Sequence, residues 1–287
     1  MTAAVTRSAP AKINLFLRVL AREDTGYHGI ETLFCRLALA DELVAERVAE
    51  PGVTIAVDGA ETGPAENNLA VRAAQAVLDA TGRRFGVRLA LTKRIPVGAG
   101  LGGGSADAAA ALGAVNELAG HAVPPSELLH AAARLGADVP FCLSGAPLAL
   151  AWGHGERLLR LPPLPKAPVL LLIPPVAIRT PDAYGWIDEA RTPAARRGAL
   201  VLDVPTIGAW SDVARMAGND FESVVFGRLG PIREAFEALA RTGPLVCRMS
   251  GSGSALFAVY RHERDREDAR NQLGRKHGTV VFTETAP

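Results

Sequence analysis

Cysteine is scarce in this chain: Cys35, Cys142 and Cys247 are the only three in 287 residues. They are far apart, odd in number and without the short spacing of metal ligands, which argues against a disulfide framework and fits a reducing cytoplasm. Net charge is nearly absent as well, since 31 basic side chains face 30 acidic ones. No nucleic-acid or polyanion surface is expected from such a balance, and the ligands should be small. Long apolar runs are also missing: the longest, in PVLLLIPPVAI around Val169–Ile173, falls far short of the roughly twenty residues that span a bilayer. The N-terminal apolar run is short, is interrupted by Arg18 and alternates as a strand does, so no secretory signal is read and a cytoplasmic location without membrane contact is expected. Lysine is the scarcest common charge, four residues against 27 arginines. A chain that habitually uses Arg on its surface has a geometric reason to place a compact ammonium at Lys12, in APAKINLFL.

Bare backbone, in contrast, is concentrated in one place. PVGAGLGGGSADAAAAL, Pro96–Leu112, follows an alternating strand pattern from Val87 to Ile95 and runs into an alanine-rich helix, with Ser105 as the expected cap. Strand, flexible loop and helix start would aim free backbone N–H groups at one point, an arrangement suited to phosphate. Gly98, Gly100 and Gly103 spell G-x-G-x-x-G, yet no second strand ending in an acidic residue follows at dinucleotide-fold spacing. A Walker loop requires Lys and then Ser or Thr where Gly104 and Ser105 stand. The kinase H-R-D and D-F-G signatures are absent. The competing explanation is a helix packed so closely on a sheet that only glycine fits.

With 287 residues and 48% hydrophobic content the chain has enough material for two α+β domains of about 150 residues each. Strands are expected near Ala11–Leu20, Thr32–Leu39, Glu42–Glu46 and Val53–Val57, and helices over Leu69–Ala80 and Ser126–Leu135, the last capped by Ser126. The proline-rich LPPLPKAP reads as a linker, dividing residues 1–160 from 161–287. The second unit holds the strand VLLLI, helices near Ala183–Glu189 and Ile232–Ala240, and strands LVCRM and ALFAVY joined by SGSGS. Asp138 in LGADVPF is either a helix cap or a carboxylate base. The turn GYH, Gly26–His28, carries an aromatic ring and an imidazole. SGSGS reads as a flexible hairpin turn.

In this order, PAKINLFL, GYHGIETLF, PVGAGLGGGSADAA, LGADVPF and MSGSGSALF resemble the GHMP kinase superfamily from residue 9 to about 260, and within it the branch that phosphorylates a diphosphocytidyl alcohol. The resemblance implies a two-domain α+β GHMP kinase-like fold with the active site between the domains, and ATP as phosphoryl donor accompanied by Mg2+. It implies phosphorylation of the 2-hydroxyl of diphosphocytidyl methylerythritol on the non-mevalonate route to isoprenoid precursors. The catalytic pair would be Lys12 and Asp138, with Asp138 accepting the hydroxyl proton. The triphosphate loop would comprise Pro96, Val97, Gly98, Ala99, Gly100, Leu101, Gly102, Gly103, Gly104, Ser105 and Ala106, with Asn68 near the adenine. Asn14, Tyr27, His28, Thr180 and Tyr184 would serve the diphosphocytidyl alcohol, Tyr184 as a second aromatic against cytosine. Where the family usually has glycine and serine, this loop has Ala99 and Ala106, and weaker phosphate binding follows from the lost hydroxyl. No protein ligand for the metal is read. A homodimer, another small-alcohol GHMP kinase and a non-catalytic nucleotide-binding regulator of the same fold are the open alternatives.

Overall fold

A computed structural model describes residues 3–24, 26–190 and 204–286. Two long strands organise its first half, β1 (Ala4–Arg22) and β2 (His28–Val48), paired antiparallel along their length. The separate strands expected over Thr32–Leu39 and Glu42–Glu46 are thus one, because Ala40 and Asp41 stay in register opposite Pro10 and Ala9. β3 (Gly52–Asp58), α1 (Leu69–Ala80), β4 (Gly86–Thr92), α2 (Gly103–Leu118), α3 (Pro125–Leu135), α4 (Val139–Ser144), β5 (Leu148–Gly153) and β6 (Arg157–Leu161) complete this half. There follow β7 (Pro168–Ile173), α5 (Thr180–Ala190), α6 (Trp210–Met216), β8 (Gly218–Asn219), α7 (Asp220–Arg228), α8 (Gly230–Ala240), β9 (Val246–Met249), β10 (Leu256–Val259), α9 (Glu263–Leu273) and β11 (Thr279–Glu284).

The strands form one sheet ordered β3-β4-β2-β1-β8, in which β5 joins β2 to β6, and a second, β11-β7-β10-β9. Alanine explains how α2 fits: Ala108, Ala111 and Ala114 are fully buried, and the helix packs among α1, α4 and the strands with no wide polar face. The two sheets share a core, in which Ala11, Ile13 and Leu33 pack with Val169, Leu171 and Phe257. The middle of LPPLPKAP, residues 162–167, has no regular structure between β6 and β7, yet it is a packed connection rather than a loose linker. Leu164 and Ala167 are buried, and Trp210 donates its indole N–H to the Pro165 carbonyl at 2.7 Å. The chain end returns to β2, where Leu37 bridges Thr285 and the Ala286 N–H donates to the Arg36 carbonyl.

Two helix starts differ from expectation. Gly102, in the left-handed region at φ +72°, occupies the cap position of α2, and Ser105 lies inside the first turn. At α3 the cap position is Pro124, followed by Pro125 at the first helical position, where a fixed φ suits a helix start, and no side chain caps it. β4 also ends at Thr92, three residues before Ile95, because the N–H groups of Arg94 and Ile95 turn to the Asp41 carboxylate.

Candidate active site

Lys12 lies on β1 beside a register irregularity with β2 between Pro10 and Lys12, where a bulge can re-aim a side chain. Its ammonium is buried, 3.1 Å from the Asp138 carboxylate and 2.8 Å from the Asn14 amide oxygen. Asp138 stands at the cap position of α4 but makes no side-chain cap bond, so the carboxylate is turned to Lys12 instead. Asn14 is held in turn: its Nδ2 donates to the Thr32 hydroxyl and its Oδ1 accepts from the Gly251 N–H. Asn14 therefore orients Lys12, apart from Tyr27 and His28.

The phosphate loop is shaped by two kinds of glycine. A Cβ on Gly102 would come within 2.8 Å of Lys12 Cγ, and one on Gly100 would collide with the Ser250 carbonyl, so these two are bare because protein packs on them. Gly103 is confined too, with Ile95 and Lys93 within 3.3 Å of an added Cβ. Gly104 is different, being exposed, free of positive φ, and met at 3.8 Å by Leu69 alone. Close packing and ligand access thus divide the loop between them. Ala99 has no positive φ, is buried, and its carbonyl accepts from the Ala255 N–H at 3.0 Å. Ala106 is buried in α2.

SGSGS is no loose turn. Ser250, Ser252 and Ser254 are buried, Ser250 donates its hydroxyl to the Gly100 carbonyl, and Asn219 donates to the carbonyls of Met249 and Gly251.

Three cavities run end to end through these residues. The first, about 310 Å³, is lined by the loop from Pro96 to Ser105 with Asn68, Lys93 and Asp107. Asn68 caps α1, accepting from the Ala70 N–H at 2.9 Å. The second, about 220 Å³, contains Lys12, Asn14, Asp138, Thr180 and Ser252, and shares Gly100, Gly102 and Ser105 with the first. The third, about 1010 Å³, holds Arg22, Tyr27, His28, Arg134, Tyr184 and Asp188, and shares Thr180 and Tyr184 with the second. Thr180, Tyr184 and Asp188 are spaced by four along α5, hence on one face. Thr180 hydrogen-bonds Ser252 at 3.0 Å. Tyr184 stacks on His28, centroids 5.0 Å apart, and burial pushes its phenol up to about 12. Tyr27 is 68% exposed and lies 5.5 Å from the His154 ring.

Sequence reading missed a buried charge cluster beside the loop. Lys93 pairs with Asp41 and, at 2.7 Å, with Asp107, all three nearly inaccessible. Asp41 also accepts the N–H groups of Arg94 and Ile95. Burial pushes Asp107 up to about 7, against the pull of Lys93 and with the Asp41 charge adding to the rise. Lysine scarcity, the signal that singled out Lys12, applied equally to Lys93. Burial pushes each of the three cysteine thiols up to about 12.

A glycine loop before a helix start, with a Lys–Asp pair beyond it, can hold a phosphate chain close to a proton acceptor. Models of the GHMP kinases N terminal domain and the GHMP kinases C terminal match residues 68–146 and 199–279. The chain is 38% identical over 284 residues, 98% of each chain, to 4-diphosphocytidyl-2-C-methyl-D-erythritol kinase of Pelotomaculum thermopropionicum. It is 39% identical to the enzyme of that name from Nitratidesulfovibrio vulgaris, over 98% of this chain and 99% of the other. A crystal structure of 4-(cytidine 5'-diphospho)-2C-methyl-D-erythritol kinase superposes with a TM-score of 0.81 at 37% identity, covering 99% of this chain and 100% of that one. The chain belongs to the 4-diphosphocytidyl-2-C-methyl-D-erythritol kinase family. A homoserine kinase from Cytophaga hutchinsonii, 20% identical with a TM-score of 0.72 over 100% of this chain and 95% of its own, shares the fold. No helix among the described residues is long and apolar enough to cross a membrane.

Proposed function

We propose that this protein transfers the γ-phosphoryl group of ATP to the 2-hydroxyl of 4-diphosphocytidyl-2-C-methyl-D-erythritol, releasing ADP and the 2-phosphate. The observation that carries this reading is the Lys12–Asp138 pair where the loop-lined cavity meets the larger one. Phosphoryl transfer asks a protein mainly for positioning and charge stabilisation. Free N–H groups at the start of α2 serve the phosphates, Asp138 accepts the hydroxyl proton, and Lys12 offsets charge developing on the transferred group. Asn14 fixes the ammonium, so its position is set before substrate arrives.

Magnesium is expected to enter with ATP. Among the described residues no group of three or more His, Cys, Asp or Glu is placed to hold a metal ion, and the carboxylates beside the loop, Asp107 and Asp138, are each paired with a lysine. This donor set fits an ion carried by phosphate oxygens and water, where it would neutralise phosphate charge. A coupled ADP-release assay over a panel of alcohols tests the whole reading. Turnover with the diphosphocytidyl alcohol, and little with homoserine or mevalonate, is the expected result; the reverse preference would overturn it.

The loop has its own test in Gly104→Val. An added Cβ meets only Leu69, at 3.8 Å, and Gly104 lines the phosphate cavity, so ATP affinity should fall at least about tenfold, the scale of one lost charged hydrogen bond, while the melting temperature stays within a few degrees. Isothermal titration and thermal melting separate the two; unchanged ATP affinity would mean that phosphate does not approach Gly104. Gly103→Val is a poorer probe, because crowding against Ile95 would disturb folding as well.

Base selectivity supplies another. Cytosine presents an exocyclic amine where uracil presents an oxygen, and buried polar groups reject the mismatched analogue strongly. With His28 and backbone as the reader, the uridine analogue should lose at least about tenfold in kcat/KM. His28→Ala should erase most of that preference, and Tyr27→Ala should weaken both analogues alike. Equal use of both by the unmodified protein would show that the base is not read here.

A further inference from the structure

Asp188 makes a short polar contact in the large cavity that no part of the mechanism uses: its Oδ1 lies 2.7 Å from Nε2 of His28. The imidazole is 5% exposed and the carboxylate 31%, so the ring is withdrawn from water while the carboxylate keeps partial access to it. Tyr184, one turn earlier on α5, stacks on the same ring at an interplanar angle of 17°. One neighbour therefore fixes the plane of the imidazole and the other fixes one of its edges. Arg22 lies 3.8 Å from the second carboxylate oxygen, giving Asp188 a cation on the side away from His28.

A carboxylate can only accept, so a ring nitrogen bonded to it must carry the hydrogen. In neutral histidine the other nitrogen is then left as a bare acceptor. We infer that Asp188 is a positioning residue that sets the tautomer of His28, keeping hydrogen on Nε2 and presenting Nδ1 as an acceptor, and thereby makes the site select an amine-bearing pyrimidine over a carbonyl-bearing one. An acceptor at Nδ1 complements the exocyclic amine of cytosine and opposes the oxygen that uracil has at that place. With Asp188 removed, the ring can take either tautomer, and Nδ1–H would serve uracil as well as Nδ1 serves cytosine. The selectivity part rests on His28 facing the base, as proposed above; the tautomer part does not.

Two measurements on Asp188→Ala and Asp188→Glu test this. Nitrogen-15 spectra of histidine-labelled protein, with the His28 signals identified by their loss in His28→Ala, should show hydrogen on Nε2 in the unmodified protein. Mixed or reversed tautomers are expected in Asp188→Ala, and recovery in Asp188→Glu. The cytidine-to-uridine ratio of kcat/KM should fall from at least about tenfold to within about threefold in Asp188→Ala and be largely restored by Glu. A purely structural role would lower both substrates together and leave the ratio unchanged, which would overturn the inference. Hydrogen on Nδ1 in the unmodified protein would overturn it too. Should the protein phosphorylate neither substrate, the proposed function falls, while the spectra still decide the tautomer.

Discussion

Asp138→Asn is expected to lower turnover by roughly 10² to 10⁴, the usual contribution of a general base, while ATP binding stays within a few-fold of the unmodified protein. The substitution keeps size and shape and removes the ability to take a proton. Because Asp138 makes no cap bond to α4, the exchange takes nothing from the helix, and its side chain, 25% exposed, can accommodate an amide. Lys12 keeps its bond to Asn14, so the ammonium stays in place. The loss should therefore appear in kcat rather than in KM for ATP, as expected for an interaction made only in the transition state. Steady-state kinetics with titration of ATP distinguishes the two. An Asn variant with turnover within about threefold of normal would mean that the hydroxyl proton leaves by another route.

Lys93→Met should act on folding. It leaves Asp41 and Asp107 facing one another in the interior without their shared cation. Removing one partner from a buried charge cluster costs about 3–5 kcal/mol. For a chain of this size that corresponds to a melting temperature lower by roughly 10 °C. Asp107→Asn in the Lys93→Met background should recover part of the loss by sparing the proton uptake that burial beside Asp41 otherwise forces on Asp107, whereas Asp41 still has the N–H groups of Arg94 and Ile95 to hold it. Calorimetry of the three proteins is the check, and a melting temperature unchanged by Lys93→Met would show that the cluster carries no net stabilisation.

What could be read from the sequence was local. The glycine loop and the helix after it depend on residues within about ten positions, so their letters suffice. Lys12 and Asp138 emerged from lysine scarcity and from the order of several motifs together. Asp138 alone was ambiguous, since cap and base look the same until the side chain is seen turned to Lys12. What escaped was long-range: Lys93 with Asp41, 52 positions apart, and His28 with Asp188, 160 apart. Spacing by four from Thr180 and Tyr184 marks Asp188 as sharing their face, but only pairing with β1 places His28 opposite it. The cap of α2 was misplaced for a related reason. Ser105 has the better capping chemistry, but Gly102 must lie flat over the Lys12 stem, and that contact sets where the helix begins.

The anchoring of the loop by SGSGS bears on the order in which the molecule can be made. Gly100 and Ala99 give their carbonyls to Ser250 and Ala255, about 150 residues later in the chain, and Asn14, the residue that steadies Lys12, waits for Gly251. While the N-terminal half emerges from the ribosome, its strands and alanine-rich helix can assemble from contacts already synthesised, but these loop carbonyls lack their partners, and Asn14 its bond from Gly251, until residues 250–255 have emerged. Contacts of such sequence separation form late, because the intervening chain must be ordered first. Nucleotide affinity is therefore expected only once residues 250–255 have emerged, and a nascent chain short of them should not draw on cellular ATP.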